Sequence, residues 1–201
     1  MSDVNDILEI LFRGVAIGAL GATAFVFGRN GASQSVRISG VLFCATIIGY
    51  AISASELTRY AVGPLLPVFR FLSFGGVGAL WAFLLALFED RRPSPGLFAP
   101  YAGLTLLGFG ASLSPDSVES GLWIVHDLIE LGVAGHALYV IWRSWRSDLV
   151  EARRRLRGPF LAVVVVFAAI LSIFQIGEGL GIAAEWYQMA DAAALATFCL
   201  M

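Results

Sequence analysis

The sequence contains no lysine, and its other reactive side chains are few. All 13 basic residues are arginine, and there are only 2 cysteines and 2 histidines. The absence of lysine excludes a retinal Schiff base and any lysine nucleophile. Cys44 and Cys199 both lie in apolar runs, so we expect two buried free thiols rather than a disulfide. Because no HExxH, GxSxG or phosphate-binding glycine motif is present, we expect that the protein is not an enzyme.

Charged residues are also scarce, and long apolar runs are frequent. Charged residues make up 14% of the chain and hydrophobic residues 58%, whereas soluble domains carry about 25% charged residues. Apolar runs of about 18 residues or more recur along the whole length, as is typical of membrane spans. Backbone groups in lipid must be paired internally, and no period-2 alternation is present. The sequence therefore predicts an all-α integral membrane protein.

Seven hydrophobic segments predict a single seven-helix bundle that includes all residues from 1 to 201. They are Ile7–Gly28, Ile38–Ser55, Leu65–Phe88, Leu97–Leu113, Gly121–Trp142, Phe160–Gly177 and Ala183–Met201. The connections are short and rich in turn residues, and no internal repeat is evident. Pro64 and Pro67 predict the beginning of the third helix. Repeated halves and broken helices, which are typical of transporters, are not expected.

The arginines predict the orientation of the bundle. If the N-terminus lies outside, three loops that hold ten of the thirteen arginines become cytoplasmic. These ten are Arg29, Arg37, Arg91, Arg92, Arg143, Arg146, Arg153, Arg154, Arg155 and Arg157. Cytoplasmic loops of membrane proteins carry such an excess of basic residues. We therefore expect a multi-pass protein of the bacterial inner membrane, with the N-terminus outside and the C-terminus in the cytoplasm.

In this orientation most ionisable residues of the spans fall in the outer half of the bundle. His126 and Glu130 share one face of the fifth helix, since they are four residues apart. Arg70 is the cation expected to lie deep enough to neutralise Asp127 or Glu130. Charges in a span cost about 2.5–3.5 kcal/mol each unless they are paired or hydrated. The predicted sensing pocket consists of Arg70, His126, Asp127, Glu130, Glu178 and Glu185.

Four interpretations of this pocket stay open on the sequence alone. It is a structural polar network, a recognition pocket or His126-based proton sensor, a metal site, or a haem site. A metal would use His126, Glu130 and either Glu178 or Glu185, but no dense His/Cys spacing supports it. A haem on His126 and His136 is the weakest of the four, because ten residues of helix separate the two histidines by ~15 Å, too far to ligate one iron. We therefore expect no metal and no cofactor.

The segment from 143 to 157 is rich in arginine and follows the fifth span. It predicts a short amphipathic helix at the cytoplasmic interface that contacts anionic lipid headgroups and relays the signal. Its residues in this role are Arg143, Arg146, Asp148, Glu151, Arg153, Arg154, Arg155 and Arg157. The glycines of the first and third spans predict close helix packing within the chain, with a homodimer as the alternative.

Two motifs resemble a known family. HALYVIWRSWRSDLVEARRRLR, with WAFLLALFEDR after the third span, resembles the N-terminal membrane domain of bacterial membrane-bound AraC-type transcription regulators. The matching positions include His136, Trp142, Arg143, Asp148 and Glu151. The resemblance implies seven spans that are followed by a cytoplasmic helix-turn-helix domain. Since no such domain precedes Met201, we expect the chain to continue, or to be a stand-alone relative that binds no nucleic acid itself.

The resemblance implies a membrane-embedded sensory domain that relays a membrane or periplasmic signal to a DNA-binding domain. It gives no ligand and no catalytic residue. The alternatives are a small proton- or ion-coupled transporter that uses the same acids, and a structural subunit of a membrane complex.

Overall fold

The computed structural model describes residues 2–29, 33–89, 91–145 and 187–200. Every regular element in these ranges is helical, so the predicted all-α class is confirmed there. The helices are α1 (Ser2–Arg29), α2 (Gln34–Ser53), α3 (Glu56–Val62), α4 (Leu66–Ser73), α5 (Gly76–Phe88), α6 (Pro95–Ser112), α7 (Asp116–Trp145) and α8 (Tyr187–Leu200). A 3-10 turn, Gly63–Leu65, joins α3 to α4.

Three of the described helices are long and apolar enough to cross a membrane. They are Val4–Arg29, Gln34–Ser53 and Asp116–Arg143, and the bent pair Glu56–Ser73 and Gly76–Phe88 makes a fourth if it counts as one span. Their outward surfaces are apolar: Ile7 and Phe25 on α1 are 65% and 62% exposed, and Leu131 on α7 is 70% exposed. The first, second and fifth predicted segments thus coincide with candidate spans.

The other predicted segments differ in outcome. The fourth is helical as α6, and the seventh overlaps α8, which is a shorter apolar helix. The sixth, Phe160–Gly177, lies outside the described residues, as do most residues of the 143–157 segment.

The third segment is not the continuous helix that its hydrophobicity predicts. The chain bends by 49° between α4 and α5. Phe74 and Gly75 lie between the two helices. Just before them, the Ser73 hydroxyl donates a hydrogen bond to the Arg70 carbonyl of the preceding turn (2.8 Å). Serine back-bonding and glycine pairs are recognised causes of sharp helix bends. Pro67 lies in the first turn of α4, as predicted, but the expectation of no broken helix is wrong.

Close approach of α5 to α6 explains the glycine at position 78. A Cβ atom there would lie 2.5 Å from the backbone nitrogen of Tyr101, which no repacking of side chains relieves. The predicted packing role of the third-segment glycines is therefore confirmed at this position. In α1 a Cβ atom at Gly14, Gly18 or Gly21 would meet nothing within 4 Å, so these glycines do not bring α1 close to another part of the chain.

The packing divides into two regions that share α2. In the first, α1 packs against α2 and α8, and Ala16, Ala51 and Leu195 are buried between them. In the second, α5 lies at the centre and packs against α2, α6 and α7. The short α4 packs against α2 and α6. Each region holds one group of polar side chains within its apolar helices.

Candidate functional site

The first polar group is the His126 cluster, which consists of His126, Asp127 and Glu130 on α7. Helix α7 begins directly after Pro115, and Asp116 lies in its first turn, where a negative charge is stabilised by the helix dipole. One nitrogen of His126 and one oxygen from each carboxylate all lie within 4.8 Å of one another. The predicted shared face of His126 and Glu130 is thus formed.

Burial differs across the His126 cluster. His126 is 4% exposed, whereas the Asp127 side chain is 74% exposed and Glu130 is half-buried. The cluster therefore runs from the protein interior to the surface of α7. Asp127 is its most exposed member and the imidazole its most buried.

The imidazole of His126 is held by the break in the third segment. Its Nε2 lies 3.1 Å from the carbonyl oxygen of Phe74. Because a carbonyl only accepts hydrogen bonds, Nε2 carries the proton and donates, and in the neutral ring Nδ1 keeps a lone pair. Carbonyls at a helix terminus lack intrahelical partners, which makes Phe74 available for this bond. His126 therefore ties α7 to the junction of α4 and α5.

The second ring nitrogen, Nδ1, has no hydrogen-bond partner among the described residues, although it is fully buried. It lies 3.5 Å from the nearer oxygen of Asp127. That distance exceeds the ~2.7–2.9 Å of a charge-assisted hydrogen bond. The result is a lone-pair nitrogen that faces carboxylate oxygens, an arrangement rich in electron donors.

An aromatic ring packs against the imidazole, and a second ring packs against the first. The Trp123 ring stands edge-on to it with 5.4 Å between the ring centroids, and Phe74 lies 5.5 Å from Trp123. The Trp123 indole N–H donates to the Glu119 carboxylate (3.1 Å), which fixes the orientation of the indole. The Trp123 ring in contact with His126 shields one side of the imidazole from water and limits its rotation.

Arg70 does not occupy its predicted place. It lies on α4 with an exposed side chain and forms no ion pair with Asp127 or Glu130. Among the described residues, no arginine neutralises either acid of the His126 cluster. The depth assigned to Arg70 assumed a straight third span, and the bend after Ser73 removes that assumption.

The remaining predicted residues fall mostly beyond what the structure describes. Arg143 is exposed near the end of α7. The residues outside the described ranges are Arg146, Asp148, Glu151, Arg153, Arg154, Arg155, Arg157, Glu178 and Glu185. Their predicted roles in sensing, relay and headgroup contact therefore stay predictions.

A second polar group was missed by the sequence analysis. This Arg13 cluster consists of Glu9 and Arg13 on α1, Tyr50 on α2 and Asp191 on α8. Arg13 is 1% exposed and lies in the protein core. The signal that could have found it is the i, i+4 pair of Glu9 and Arg13 within an apolar helix.

Every nitrogen of the Arg13 guanidinium has a partner. It donates to the carboxylates of Glu9 and Asp191, each at 3.0 Å, and to the carbonyl of Ala51 at 3.1 Å. Tyr50 donates to the other oxygen of Asp191 at 3.1 Å. The Arg13 cluster thus joins α1, α2 and α8 through complete pairing and leaves no donor nitrogen for a ligand.

Two further features lie away from both clusters. His136 accepts a hydrogen bond from the Trp81 indole at Nδ1 (2.8 Å) and forms a second contact between α7 and α5. An open groove of about 690 Å³ is lined by Gly28, Gln34, Arg37, Ile38, Val41, Leu42 and Ala45. None of the four described sensing residues, Arg70, His126, Asp127 and Glu130, lines this groove.

No protein-family model, curated protein or solved structure matches the chain. The resemblance to AraC-type membrane domains therefore rests on the two sequence motifs alone and stays a prediction.

Proposed function

We propose that the chain is a non-enzymatic, membrane-embedded sensory domain that receives its signal at the His126 cluster. The observation that carries this proposal is the hydrogen bond from His126 to Phe74. It links an incompletely paired polar cluster to the one bent segment of the described chain. A sensor needs a ligand-sensitive group and an element with two arrangements whose balance the ligand shifts. The cluster and the break supply these two parts.

In this proposal the bundle has seven spans with the N-terminus outside and lies in the bacterial inner membrane. Glu178 and Glu185 remain predicted members of the sensing pocket. The 143–157 segment relays the signal and contacts lipid headgroups, and an AraC-type helix-turn-helix domain after Met201 receives it. The support for these parts is the arginine distribution and the two motifs in the sequence.

The orientation is tested by labelling single cysteines with a membrane-impermeant maleimide in a background that carries Cys44→Ala and Cys199→Ala. Ser94 and Ser117 are both exposed and lie at opposite ends of α6 and its connection to α7. We expect Ser117→Cys to react in intact cells and Ser94→Cys to react only after lysis. The reverse pattern would place the N-terminus in the cytoplasm.

The sensory function is tested in two steps. We expect the reading frame to continue beyond Met201 into a helix-turn-helix domain. In that full-length protein, His126→Gln and Glu130→Gln should change transcription of the regulated promoter, whereas Arg91→Gln should not. Arg91 is the matched control because it is an exposed residue that pairs only with Glu89 among the described residues. Wild-type transcription in both cluster variants would exclude a sensory role for the cluster.

A small ion-coupled carrier is the second candidate, and the broken third segment specifically favours it. Discontinuous helices beside buried charges are typical of transporter sites. The two functions are separated by reconstituting the chain into vesicles that contain a pH-sensitive dye. A proton flux above that of empty vesicles, abolished by Glu130→Gln, would support the carrier and count against the sensor.

A further inference from the structure

We propose that the His126 cluster is a binding site for a divalent transition-metal ion. The ligands would be Nδ1 of His126 and one carboxylate oxygen each from Asp127 and Glu130. This proposal names the signal of the sensory domain and rests on the proposed function for its biological meaning, although binding itself is measurable on the isolated protein. It also adds Asp127 to the ligands that the sequence suggested, because Asp127 lies in the cluster with His126 and Glu130.

The state of His126 is the strongest support for a metal. Metal-bound histidines almost always donate the N–H of their free ring nitrogen to a carbonyl, a carboxylate or water, which fixes the tautomer. His126 already has this arrangement, since Nε2 donates to the Phe74 carbonyl. Its buried Nδ1 has no hydrogen-bond partner among the described residues and faces the carboxylates. A buried polar atom of this kind normally finds a partner, and a cation would be that partner.

The charge of the cluster also favours a cation. Asp127 and Glu130 belong to a candidate span, and no described arginine pairs with either. Charges in such a segment are costly unless they are neutralised. A divalent ion would balance both carboxylates at once. In the other cluster, Arg13 pairs with both Glu9 and Asp191 and offsets one of their two negative charges.

The distances are compatible with a site that closes around its ion. Zinc binds nitrogen and oxygen at about 2.0–2.2 Å, so the 4.8 Å spread of the three ligand atoms must contract. Asp127 and Glu130 can make this movement by side-chain rotation, because one is exposed and the other half-buried. His126 need not move, and its tie to Phe74 is kept.

One imidazole and two carboxylates select the class of metal. This donor set suits zinc and its first-row neighbours, whereas calcium and magnesium prefer sites made entirely of oxygen. Three protein ligands leave a coordination position for water or an exchanging ligand. The ion would therefore bind reversibly from the exposed Asp127 side, as a sensor requires.

The test is isothermal titration of the purified, metal-free chain in detergent with Zn²⁺, repeated with Ca²⁺. We expect one zinc per chain, and His126→Gln and Glu130→Gln each to weaken zinc binding by more than the ~10–100-fold typical of losing an outer-shell partner. His136→Gln is the matched control, because it removes the other histidine of the same helix. Co²⁺ in place of Zn²⁺ should give an absorption spectrum that Glu130→Gln alters and His136→Gln does not.

Asp127→Asn separates loss of a metal ligand from misfolding of the variant. Because the Asp127 side chain is 74% exposed, this substitution should leave the fold intact. This variant should keep the wild-type circular dichroism spectrum and still bind zinc more weakly. The proposal is overturned if the wild type binds no zinc, if it binds Ca²⁺ as tightly, or if His126→Gln binds zinc like the wild type. Zinc binding without any effect of His126→Gln on transcription would support the metal site and remove only the sensory function. A transcriptional effect without zinc binding would do the opposite.

Discussion

The Arg13 cluster and the His126 cluster place similar side chains inside apolar helices, but their pairing is opposite. In the Arg13 cluster a central cation satisfies both carboxylates and a backbone carbonyl. In the His126 cluster two carboxylates and a lone-pair nitrogen face one another with no described cation. The first joins three helices, whereas all three members of the second come from α7.

This difference separates a structural network from a binding site. Breaking a fully paired buried network is costly because it leaves a charge without a partner. In an incompletely paired cluster, the folded protein already contains charges without a partner. A ligand that supplies the missing charge would therefore stabilise the folded protein. The Arg13 cluster should therefore control stability, and the His126 cluster should control response to an ion.

The largest effect is expected from Arg13→Met. It removes the cation and leaves the carboxylates of Glu9 and Asp191 without it, which should cost about 3–5 kcal/mol in the free energy of unfolding. Denaturant titration in detergent, followed by circular dichroism, measures this change. Arg91→Met is the control, since its pair with Glu89 is on the surface and such pairs contribute about 0–1 kcal/mol. Equal losses in the two variants would contradict a structural role for the Arg13 cluster.

A smaller loss is expected from Gly78→Ala, which tests the framework on which the His126 cluster rests. The added Cβ would lie 2.5 Å from the Tyr101 backbone, and overpacking of this kind costs about 1–3 kcal/mol. Thermal unfolding followed by circular dichroism is the measurement. Gly18→Ala, where a Cβ meets nothing within 4 Å, is the matched control and should be neutral or stabilising. If Gly78→Ala unfolds at the same temperature as the wild type, α5 and α6 do not approach each other as closely as described.

Tyr50→Phe tests the periphery of the Arg13 cluster. It deletes the hydroxyl that donates to Asp191 at 3.1 Å, while Arg13 still pairs with that acid. We expect a loss of about 0.5–1.5 kcal/mol in the free energy of unfolding, measured by the same denaturant titration. Tyr60→Phe should change nothing, because Tyr60 is 92% exposed. A loss as large as that of Arg13→Met would mean that Tyr50, not the cation, holds the cluster together.

Hydrophobic periodicity and spacing were sufficient to predict one of the two clusters. His126 and Glu130 are four residues apart on one helix, so their proximity follows from helix geometry alone. The Arg13–Asp191 pair joins residues 178 positions apart, and its formation depends on how α1 and α8 pack. Local pattern contains no information on that packing. Glu9 and Arg13 were adjacent on α1 in the same way, but an apolar run with a single pair near its beginning resembles an interfacial anchor.

The helices were largely predictable, whereas the break was not. Long apolar runs fixed α1, α2 and α7 to within a few residues, but the run from Leu65 to Phe88 looks continuous because its residues are apolar on both sides of Gly75. Ser73, Gly75 and Gly76 permit a bend there without requiring one, and the close packing of Gly75 against Tyr101, where an added Cβ would lie 2.4 Å from the ring, is a tertiary contact that local sequence does not show. The wrong position of Arg70 follows from this missed bend, since its depth was counted along a straight helix.

The smallest effect on folding, and the sharpest contrast between the clusters, is expected from Asp127→Asn. Without metal its free energy of unfolding should stay within about 0.5 kcal/mol of the wild type, because an exposed side chain is changed. Zinc at 100 times its dissociation constant should stabilise the wild type by about 2.7 kcal/mol and this variant by less. Both acids of the Arg13 cluster pair with Arg13, and Asp191 is not a ligand of the proposed zinc site. Asp191→Asn should therefore be less stable with or without zinc and keep the full zinc-dependent increase. Unfolding titrations of both variants at several zinc concentrations measure this. A zinc-dependent increase that is lost in Asp191→Asn but kept in Asp127→Asn would reverse the roles assigned to the two clusters.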